Sequence, residues 1–394
     1  MTTRRRLLTH SAALLGVASS GLLIPAHAQS NKIRIGLMLP YTGTFAQLGQ
    51  ACDNGFRMAL DEKGNKISGR EVEFFKVDDE SEPSKGVENA SKLVQRDKVD
   101  VLIGTVHSGV QMGIHKVARE TGVLNIIPNA GMHAATRSLC APNVFRTSFT
   151  NSQPTMALGK AMVARGHKKA VWITWKYAAG DEAGEGFKEG YLSAGGTIVK
   201  ELGLPFPNVE FQALLTEIAS IKPDAVACFF SGGGAAKFIR DYAAAGLKGK
   251  IPLYGSGFLT EGLLDDELAQ YAQGIMTTLH YSTSLNSKRN DAFRLAYAKT
   301  FKMQPDVYAV QGYDAGQLLL QGAAAVNGDL SNKKALYAAL ETAVIDSPRG
   351  KWTMSKAHNP IQDMYLREVK GKENIVLGVA VKALADSGAG CKLG

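Results

Sequence analysis

Residues 101–131 read VLIGTVHSGVQMGIHKVARETGVLNIIPNAG and contain two short apolar runs separated by a longer segment. The runs, 101–103 and 124–127, have the length of buried strands, whereas residues 109–120 between them have helical periodicity. A strand, a helix and a second strand in this order are typical of a parallel sheet covered by helices. This stretch therefore predicts an α/β fold.

The same alternation continues along most of the chain. We expect further strands at 33–39, 72–77, 170–175, 197–202, 225–230 and 251–254, and helices at 49–63, 85–96, 153–165, 182–194 and 235–245. After residue 281 the pattern changes to three helices, 288–301, 307–326 and 333–342, and then to strand-like runs at 351–354, 365–369 and 375–378. Two similar α/β halves are visible in outline, without a residue-level repeat.

The first residues have the composition of an export signal. Three arginines at 4–6 precede an apolar stretch that ends in the small-x-small pattern AHA at 26–28. The stretch is shorter than the roughly 20 apolar residues of a membrane span. We therefore expect residues 1–28 to be removed and the mature chain to be periplasmic, exported by either the twin-arginine or the general secretory route.

Size and charge limit the classes of function. The formal net charge is +9, and the three arginines of the export signal contribute three of these positive charges. The other basic residues are dispersed along the chain. Without a basic run, we expect no nucleic-acid partner. The roughly 365 residues that follow the signal exceed the ~250–300 at which a single core stops growing, so two lobes are expected.

The four cysteines lack the C-x-x-C spacing of zinc or redox motifs. Cys52 and Cys228 lie in predicted regular elements, and we expect both to be buried thiols. Cys140 and Cys391 lie in loop-like sequence, and an oxidising compartment permits them to form a disulfide.

The sequence lacks the common motifs of enzyme chemistry. It contains no G-x-x-x-x-G-K-[ST], H-E-x-x-H or G-x-S-x-G pattern. Glycines 232–234 follow a predicted strand, but Lys237 occupies the position at which a dinucleotide-binding fingerprint needs its third glycine. The histidines are scattered, without acidic partners at ligand spacing. We therefore expect no catalytic residue, no cofactor and no metal site.

Binding groups for an anion are expected instead where strands lead into helices. In parallel sheets, ligands lie beyond the carboxyl ends of the strands, where helix N-termini offer unpaired N–H groups and a favourable dipole. Ser108 falls at the expected N-cap after the strand 101–103, and Asn129, Ala130 and Gly131 follow the next strand. Ser108 either only caps its helix, a role worth ~1 kcal/mol, or also holds a ligand carboxylate.

The two segments that follow these strands belong to a series of short motifs that resembles a known family. The series consists of IGLMLPYTG at 35–43, VDD at 77–79, IG at 103–104, PNA at 128–130, FRT at 145–147, GL at 246–247, YG at 254–255 and YDA at 313–315. In this order and at these distances, the chain resembles the leucine/isoleucine/valine-binding protein family of type I periplasmic solute-binding proteins. The resemblance covers nearly the whole mature chain.

The resemblance implies two doubly wound parallel-sheet lobes, joined by three hinge crossings, that close around a ligand. On this template one lobe comprises residues 31–149 and 281–348, and the other comprises 150–280 and 349–394. It also implies a receptor, expected to be monomeric, that delivers its ligand to the membrane permease of an ABC importer.

The resemblance also implies a site. Ser108 matches the serine that holds the ligand carboxylate, and Asn129 and Ala130 match neighbouring contacts. Members that bind α-amino acids use hydroxyl, aromatic and acidic side chains at four positions that here are Gly131, Ala179, Gly233 and Gly257. A buried ammonium group without a carboxylate partner is costly. We therefore expect a small organic acid that carries no amine.

Aromatic residues near the expected cleft indicate a flat apolar ligand, because ring stacking is worth ~1 kcal/mol per pair. Each of these rings either lines the cleft or packs in the core. We predict an aromatic carboxylate, and the runs LPFP at 204–207 and DSPRG at 346–350 resemble the branch of the family associated with aromatic-acid uptake. The full set of candidate contacts is Leu48, His107, Ser108, Asn129, Ala130, Gly131, Trp175, Tyr177, Phe230, Gly233, Gly257 and Phe258.

Three alternatives stay open from the sequence. The ligand can be a branched-chain or other amino acid whose ammonium site is built from other residues. The chain can be a ligand-sensing regulator, since the same fold serves signalling proteins. An enzyme is the least favoured of the three.

Overall fold

Two β-sheets form the framework of residues 32–393, the part of the chain that the computed structural model describes. The strands of the first sheet are β1 (Lys32–Leu39), β2 (Lys66–Ile67), β3 (Arg70–Asp78), β4 (Val101–Ile103), β5 (Leu124–Ile127) and β6 (Val144–Arg146). Their order is β2-β3-β1-β4-β5-β6, and every pair is parallel except β2 with β3. The predicted export signal, residues 1–28, lies outside the described residues.

The second sheet has eight strands. They are β7 (Lys169–Lys176), β8 (Thr197–Pro205), β9 (Ala225–Phe229), β10 (Leu253–Ser256), β11 (Met276–Leu279), β12 (Thr353–Met354), β13 (Pro360–Lys370) and β14 (Glu373–Leu384). The strands β7 to β11 form a parallel core in the order β11-β10-β9-β7-β8. The late strand β13 is antiparallel to β11, β12 and β14. The α/β prediction is confirmed, with an antiparallel hairpin added at one edge.

Eleven α-helices connect and cover these strands within the described residues. They are α1 (Ala46–Asp61), α2 (Lys85–Ser91), α3 (Ser108–Thr121), α4 (Ser152–Ala164), α5 (Ala178–Ser193), α6 (Gln212–Ile221), α7 (Gly232–Ala244), α8 (Leu268–Ala272), α9 (Lys288–Phe301), α10 (Val307–Ala325) and α11 (Lys333–Glu341). A π-helical turn, Lys92–Arg96, continues α2. Over residues 32–393 no helix combines the length and the apolar character of a membrane span.

The helices α1 and α10 pack against each other at unusually short range. A Cβ on Gly55 would lie 1.9 Å from the carbonyl oxygen of Ala309, and a Cβ on Gly312 would lie 2.1 Å from that of Cys52. Only glycine permits this approach of two backbones. The contact fixes the start of α10, including Tyr308, beside the start of α1.

The chain passes between the two sheets three times. It leaves the first sheet after β6, returns after β11 to form α9, α10 and α11, and leaves again before β12. The apolar face of α10 covers the first sheet, where Leu318 and Leu319 share a buried cluster with Ile35. All strands of each sheet fall inside one of the two predicted lobes, but the lobe boundaries themselves stay a prediction.

The four cysteines are divided into one bonded pair and two thiols. Cys140 and Cys391 form a disulfide with an S–S distance of 2.09 Å. Cys52 and Cys228 are free and buried. Burial raises the pKa of both thiols well above the ordinary value, so they stay uncharged at neutral pH and serve as small apolar residues.

Candidate ligand-binding site

A small cavity lies between the carboxyl ends of strands from both sheets and the start of α10. Its volume is about 30 Å³, space for two or three water molecules at ~10–15 Å³ each. A ring-bearing ligand is larger than this volume, so it fits only if the walls move apart. The cavity is lined by Phe45, Leu48, Val106, Ser108, Asn129, Gly131, Phe149, Asn151, Tyr177, Ala179, Phe229, Ser231, Phe258 and Tyr308.

The structure brings six of the predicted contacts to this cavity. Ser108 starts α3, and Asn129 and Gly131 follow β5. The segments after β4 and β5 therefore line the same cavity, as predicted. Leu48 comes from α1, and Tyr177 and Phe258 follow strands of the second sheet. The arrangement follows from the rule that the carboxyl ends of adjacent parallel strands share one edge of a sheet.

Three other predicted contacts pack away from the cavity. Ala130 is fully buried, and its N–H donates to the carbonyl of Thr105 at 2.9 Å. Trp175 and Phe230 pack edge to face, with their ring centroids 5.1 Å apart. The indole Nε1 of Trp175 donates to the carbonyl oxygen of Asn208 at 2.7 Å. These two rings therefore belong to the core beneath the site.

The two predicted glycine contacts also lie elsewhere. Gly233 borders a separate cavity of about 650 Å³, beside Gln47 and Gly262. Gly257 is packed against Leu279 and Arg367, and its carbonyl accepts a hydrogen bond from Arg367 Nη2 at 3.0 Å. Neither glycine lines the cavity that contains Ser108.

The expected cap of α3 is corrected by the structure. The N-cap is His107, whose imidazole Nδ1 accepts from the N–H groups of Gly109 at 3.0 Å and Val110 at 3.4 Å. Ser108 is the first residue of the helix, so its hydroxyl is not needed as a cap. Its Oγ accepts from Asn151 Nδ2 at 3.2 Å. The hydroxyl proton therefore remains available to a ligand.

His107 does not line the cavity, but its ring packs against that of the lining residue Tyr177. The ring lies 5.1 Å from the ring of Tyr177 and 5.0 Å from that of Phe206, measured between centroids. Burial lowers the pKa of His107 to about 4. The imidazole is therefore neutral at pH 7 and contributes no positive charge to a bound carboxylate.

Protonation of His107 should destabilise the fold in acid. A residue whose pKa is lowered from 6.5 to about 4 on folding contributes stability that is fully present above pH 6.5 and is lost as the pH falls towards 4. Urea unfolding of the wild type and of His107→Asn, which keeps a cap acceptor, should give free energies whose difference shrinks in this window. The other buried histidines contribute to both proteins alike. Parallel curves would contradict the assignment.

Sequence reasoning missed several lining residues. Asn151 and Phe149 lie in the segment after β6, a strand that was not predicted from the sequence. Phe229 is the neighbour of the predicted Phe230, and Ser231 is the N-cap of the following helix, α7. Tyr308 comes from α10, more than 150 positions away along the chain from Asn151. Tyr308 lies in the first turn of a helix that was predicted at 307–326, but no sequence signal placed it at the cavity.

Tyr308 is a buried donor without a partner among the described residues. It is 1% exposed, and its hydroxyl makes no hydrogen bond there. Burial, followed by the charge of Asp306, raises its pKa well above the ordinary value, so the hydroxyl keeps its proton. An unsatisfied buried polar group costs about 1–3 kcal/mol, a cost that a ligand oxygen at this position would remove.

The lining has a distinct chemistry. Six of its residues are aromatic, namely Phe45, Phe149, Tyr177, Phe229, Phe258 and Tyr308. The polar members are hydroxyl and amide groups, and none of the lining residues is charged. Such a cavity offers hydrogen-bond donors to an anion but no carboxylate to an ammonium group.

Known proteins resemble the chain over nearly its whole described length. A profile of the periplasmic binding protein family matches residues 32–374. The Leu/Ile/Val-binding protein homolog 6 of Brucella melitensis is 28% identical over 365 residues, which are 91% of this chain and 92% of that protein.

Two crystal structures of solute-binding proteins from ABC transporters are also similar. One, from R. palustris in complex with benzoate, is 52% identical, with a TM-score of 0.89, and covers 92% of this chain and 100% of its own. The other, from Rhodopseudomonas palustris BisB5 in complex with 3,4-dihydroxybenzoic acid, is 29% identical, with a TM-score of 0.85, and covers 91% and 99%.

Proposed function

Because the chain belongs to the periplasmic binding protein family, we propose that it is the periplasmic receptor of an ABC importer and captures an aromatic carboxylate. The observation that carries the proposal is the lining of the cavity, which joins uncharged hydrogen-bond donors to six aromatic rings. The 52% identical relative in complex with benzoate supports the same ligand class. Delivery to a membrane permease follows from this role.

In the proposed complex the ligand carboxylate lies at the start of α3. There the Ser108 hydroxyl, the amide of Asn151 and the positive end of the helix dipole are close together. The ring lies between the aromatic side chains of the two walls, where edge and face contacts are worth ~1 kcal/mol per pair. The unpaired hydroxyl of Tyr308 is available to a ligand oxygen.

An α-amino acid is the second candidate, because homologues named for leucine, isoleucine and valine match the chain. Its ammonium group would need a carboxylate partner in the closed cleft. None of the lining residues carries one. Glu182 accepts a hydrogen bond from the lining residue Asn151 but does not itself line the cavity. We therefore favour a ligand without an amine.

Closure of two lobes, residues 31–149 with 281–348 and residues 150–280 with 349–394, would enclose this ligand. The small volume of the cavity supports closure, because the walls already touch across it. The ring of Phe45, before α1, lies 5.4 Å from that of Phe206, after β8, measured between centroids. Opening would separate such pairs and admit the ring.

A thermal unfolding screen tests the proposal. The mature chain, residues 29–394, is heated with benzoate, 4-hydroxybenzoate or leucine, each at about millimolar concentration. A ligand that binds only the folded state raises the midpoint in proportion to the logarithm of its concentration, and we expect an increase of a few degrees with an aromatic acid. Stabilisation by leucine and not by either acid would contradict the proposed ligand class.

A further inference from the structure

A buried carboxylate lies directly behind the proposed carboxylate-binding end of the cavity. Asn151 Nδ2 is 2.7 Å from Glu182 Oε2 and 3.2 Å from Ser108 Oγ. We propose that Glu182 is a positioning residue, which orients the amide of Asn151 so that the hydroxyl proton of Ser108 points at the ligand. The inference rests on the proposed function and concerns how this site selects an anion.

The amide nitrogen of Asn151 has two hydrogens, one for Glu182 and one for the oxygen of Ser108. An ionised carboxylate only accepts hydrogen bonds, so Glu182 excludes the flipped amide, which would turn Oδ1 towards it. Because Ser108 accepts from the amide, its own proton is free. In the flipped amide, Oδ1 would accept that proton and the ligand would lose its donor.

Glu182 is itself held in place. The backbone N–H of His133 donates to both carboxylate oxygens at 3.0 Å, and the side chain is 19% exposed. Burial raises the pKa of Glu182 to about 7, against the opposing hydrogen bonds from Asn151 and His133. The carboxylate is therefore mostly ionised at pH 8 and mostly protonated at pH 6. A protonated Glu182 can donate to Oδ1 and thus loses its preference for one amide orientation.

Three groups near Glu182, namely His133, Tyr177 and Asp386, have pKa values shifted away from this range. Burial lowers the pKa of the His133 imidazole to about 4 and raises that of Tyr177 well above its usual range. The pKa of Asp386 is held down, against burial, by its hydrogen bond from Arg137. The charged and titratable side chains around Glu182 are His133, Arg137, Arg146, Tyr177, Glu185 and Asp386.

The test is a double-mutant cycle, with benzoate affinity measured by calorimetry at pH 8. Glu182→Gln keeps the size of the side chain but can both donate and accept, so we expect affinity to fall about 5- to 10-fold, the loss of roughly one oriented hydrogen bond. In a Ser108→Ala background the same change should alter affinity less than about 2-fold, because the hydroxyl that Glu182 orients is gone. Glu185→Gln, on the exposed side of the same helix, is the matched control and should bind like the wild type.

A pH profile adds a readout that a purely structural role would not change. Wild-type affinity should fall from pH 8 to pH 6 towards that of Glu182→Gln, whose own affinity should stay constant. The inference would be overturned if Glu182→Gln lowered benzoate affinity equally in the wild-type and Ser108→Ala proteins, or if it raised that affinity. The same pH profile in the wild type and Glu182→Gln would also overturn it. If Glu182→Gln does not fold, the wild-type pH profile decides, and an affinity that does not fall from pH 8 to pH 6 would overturn the inference. Absence of benzoate binding by the wild type would instead contradict the proposed function.

Discussion

Replacing Arg349 by methionine is expected to lower the free energy of unfolding by about 3–5 kcal/mol, the usual cost of breaking a buried ion pair. Arg349 Nε lies 3.1 Å from Asp314 Oδ2, and the two side chains are 1% and 0% exposed. Burial raises the pKa of Asp314 to about 6, and the Arg349 charge opposes that rise. Without the guanidinium, Asp314 must be buried as an unpaired charge or take up a proton.

The guanidinium of Arg349 also binds the backbone where the chain passes from the first sheet to the second. It donates to the carbonyl oxygens of Thr147 at 2.6 Å and Ser148 at 3.3 Å, just after β6. Methionine fills similar volume but leaves the Thr147 carbonyl without this donor, at about 1–3 kcal/mol when buried. The Ser148 carbonyl keeps a hydrogen bond from Gln362 Nε2 at 2.6 Å. Urea unfolding of both proteins at pH 7.5 measures the loss.

An exposed ion pair provides the control for Arg349. Arg240 Nε lies 3.0 Å from Glu267 Oε1, with side chains 39% and 66% exposed. Exposed pairs contribute about 0–1 kcal/mol, so Arg240→Met should change stability little. Similar small losses in the two variants would mean that the buried cluster contributes far less than its geometry indicates.

The strands that the sequence predicted best are those with mainly apolar runs. The prediction matched the bounds of β4, Val101–Ile103, and of β5, Leu124–Ile127. The strand β11, Met276–Leu279, was not predicted because its centre is Thr277 and Thr278. Both threonines are fully buried, and Thr278 Oγ1 donates to the carbonyl of Pro154. A strand whose buried residues are satisfied by distant partners has no local apolar signal.

The strand β6, Val144–Arg146, was missed for a related reason. Arg146 is fully buried and donates to Thr136 Oγ1 at 3.1 Å and to Asn359 Oδ1 at 3.0 Å. An arginine normally indicates a solvated position. The partners that make this burial possible are known only from the fold. Without β6, the segment that carries Phe149 and Asn151 could not be placed at the site.

Which aromatic residues line the cavity depends on a difference of one position along a strand. Phe229 lines the cavity, whereas Phe230 packs in the core beside Trp175. Consecutive residues at a strand end point to opposite sides, and the sequence alone does not fix which side faces the cleft. The polar segments after β4 and β5 were easier to predict, because the position of anion-binding groups follows from sheet geometry and helix dipoles.

The polar end of the cavity leads to the second large effect. Ser108→Ala is expected to weaken benzoate binding about 10- to 100-fold, since a hydrogen bond to a charged group is worth roughly 1.5–3 kcal/mol. Ser108 is 2% exposed, so water cannot easily replace the lost donor. Its hydroxyl accepts from Asn151 and does not cap α3, so alanine should leave the helix intact. Calorimetric titration at pH 8 measures the change.

The control for Ser108 is a serine whose hydroxyl has a structural partner far from the cavity. Ser193 Oγ donates to the carbonyl of Gly190 at 3.3 Å near the end of α5, and Ser193→Ala should bind benzoate like the wild type. Ser108→Ala should also keep the unfolding midpoint of the ligand-free protein, because His107 caps the helix. Unchanged benzoate affinity in Ser108→Ala would place the carboxylate away from α3, and the unpaired hydroxyl of Tyr308 would then be the remaining donor to examine.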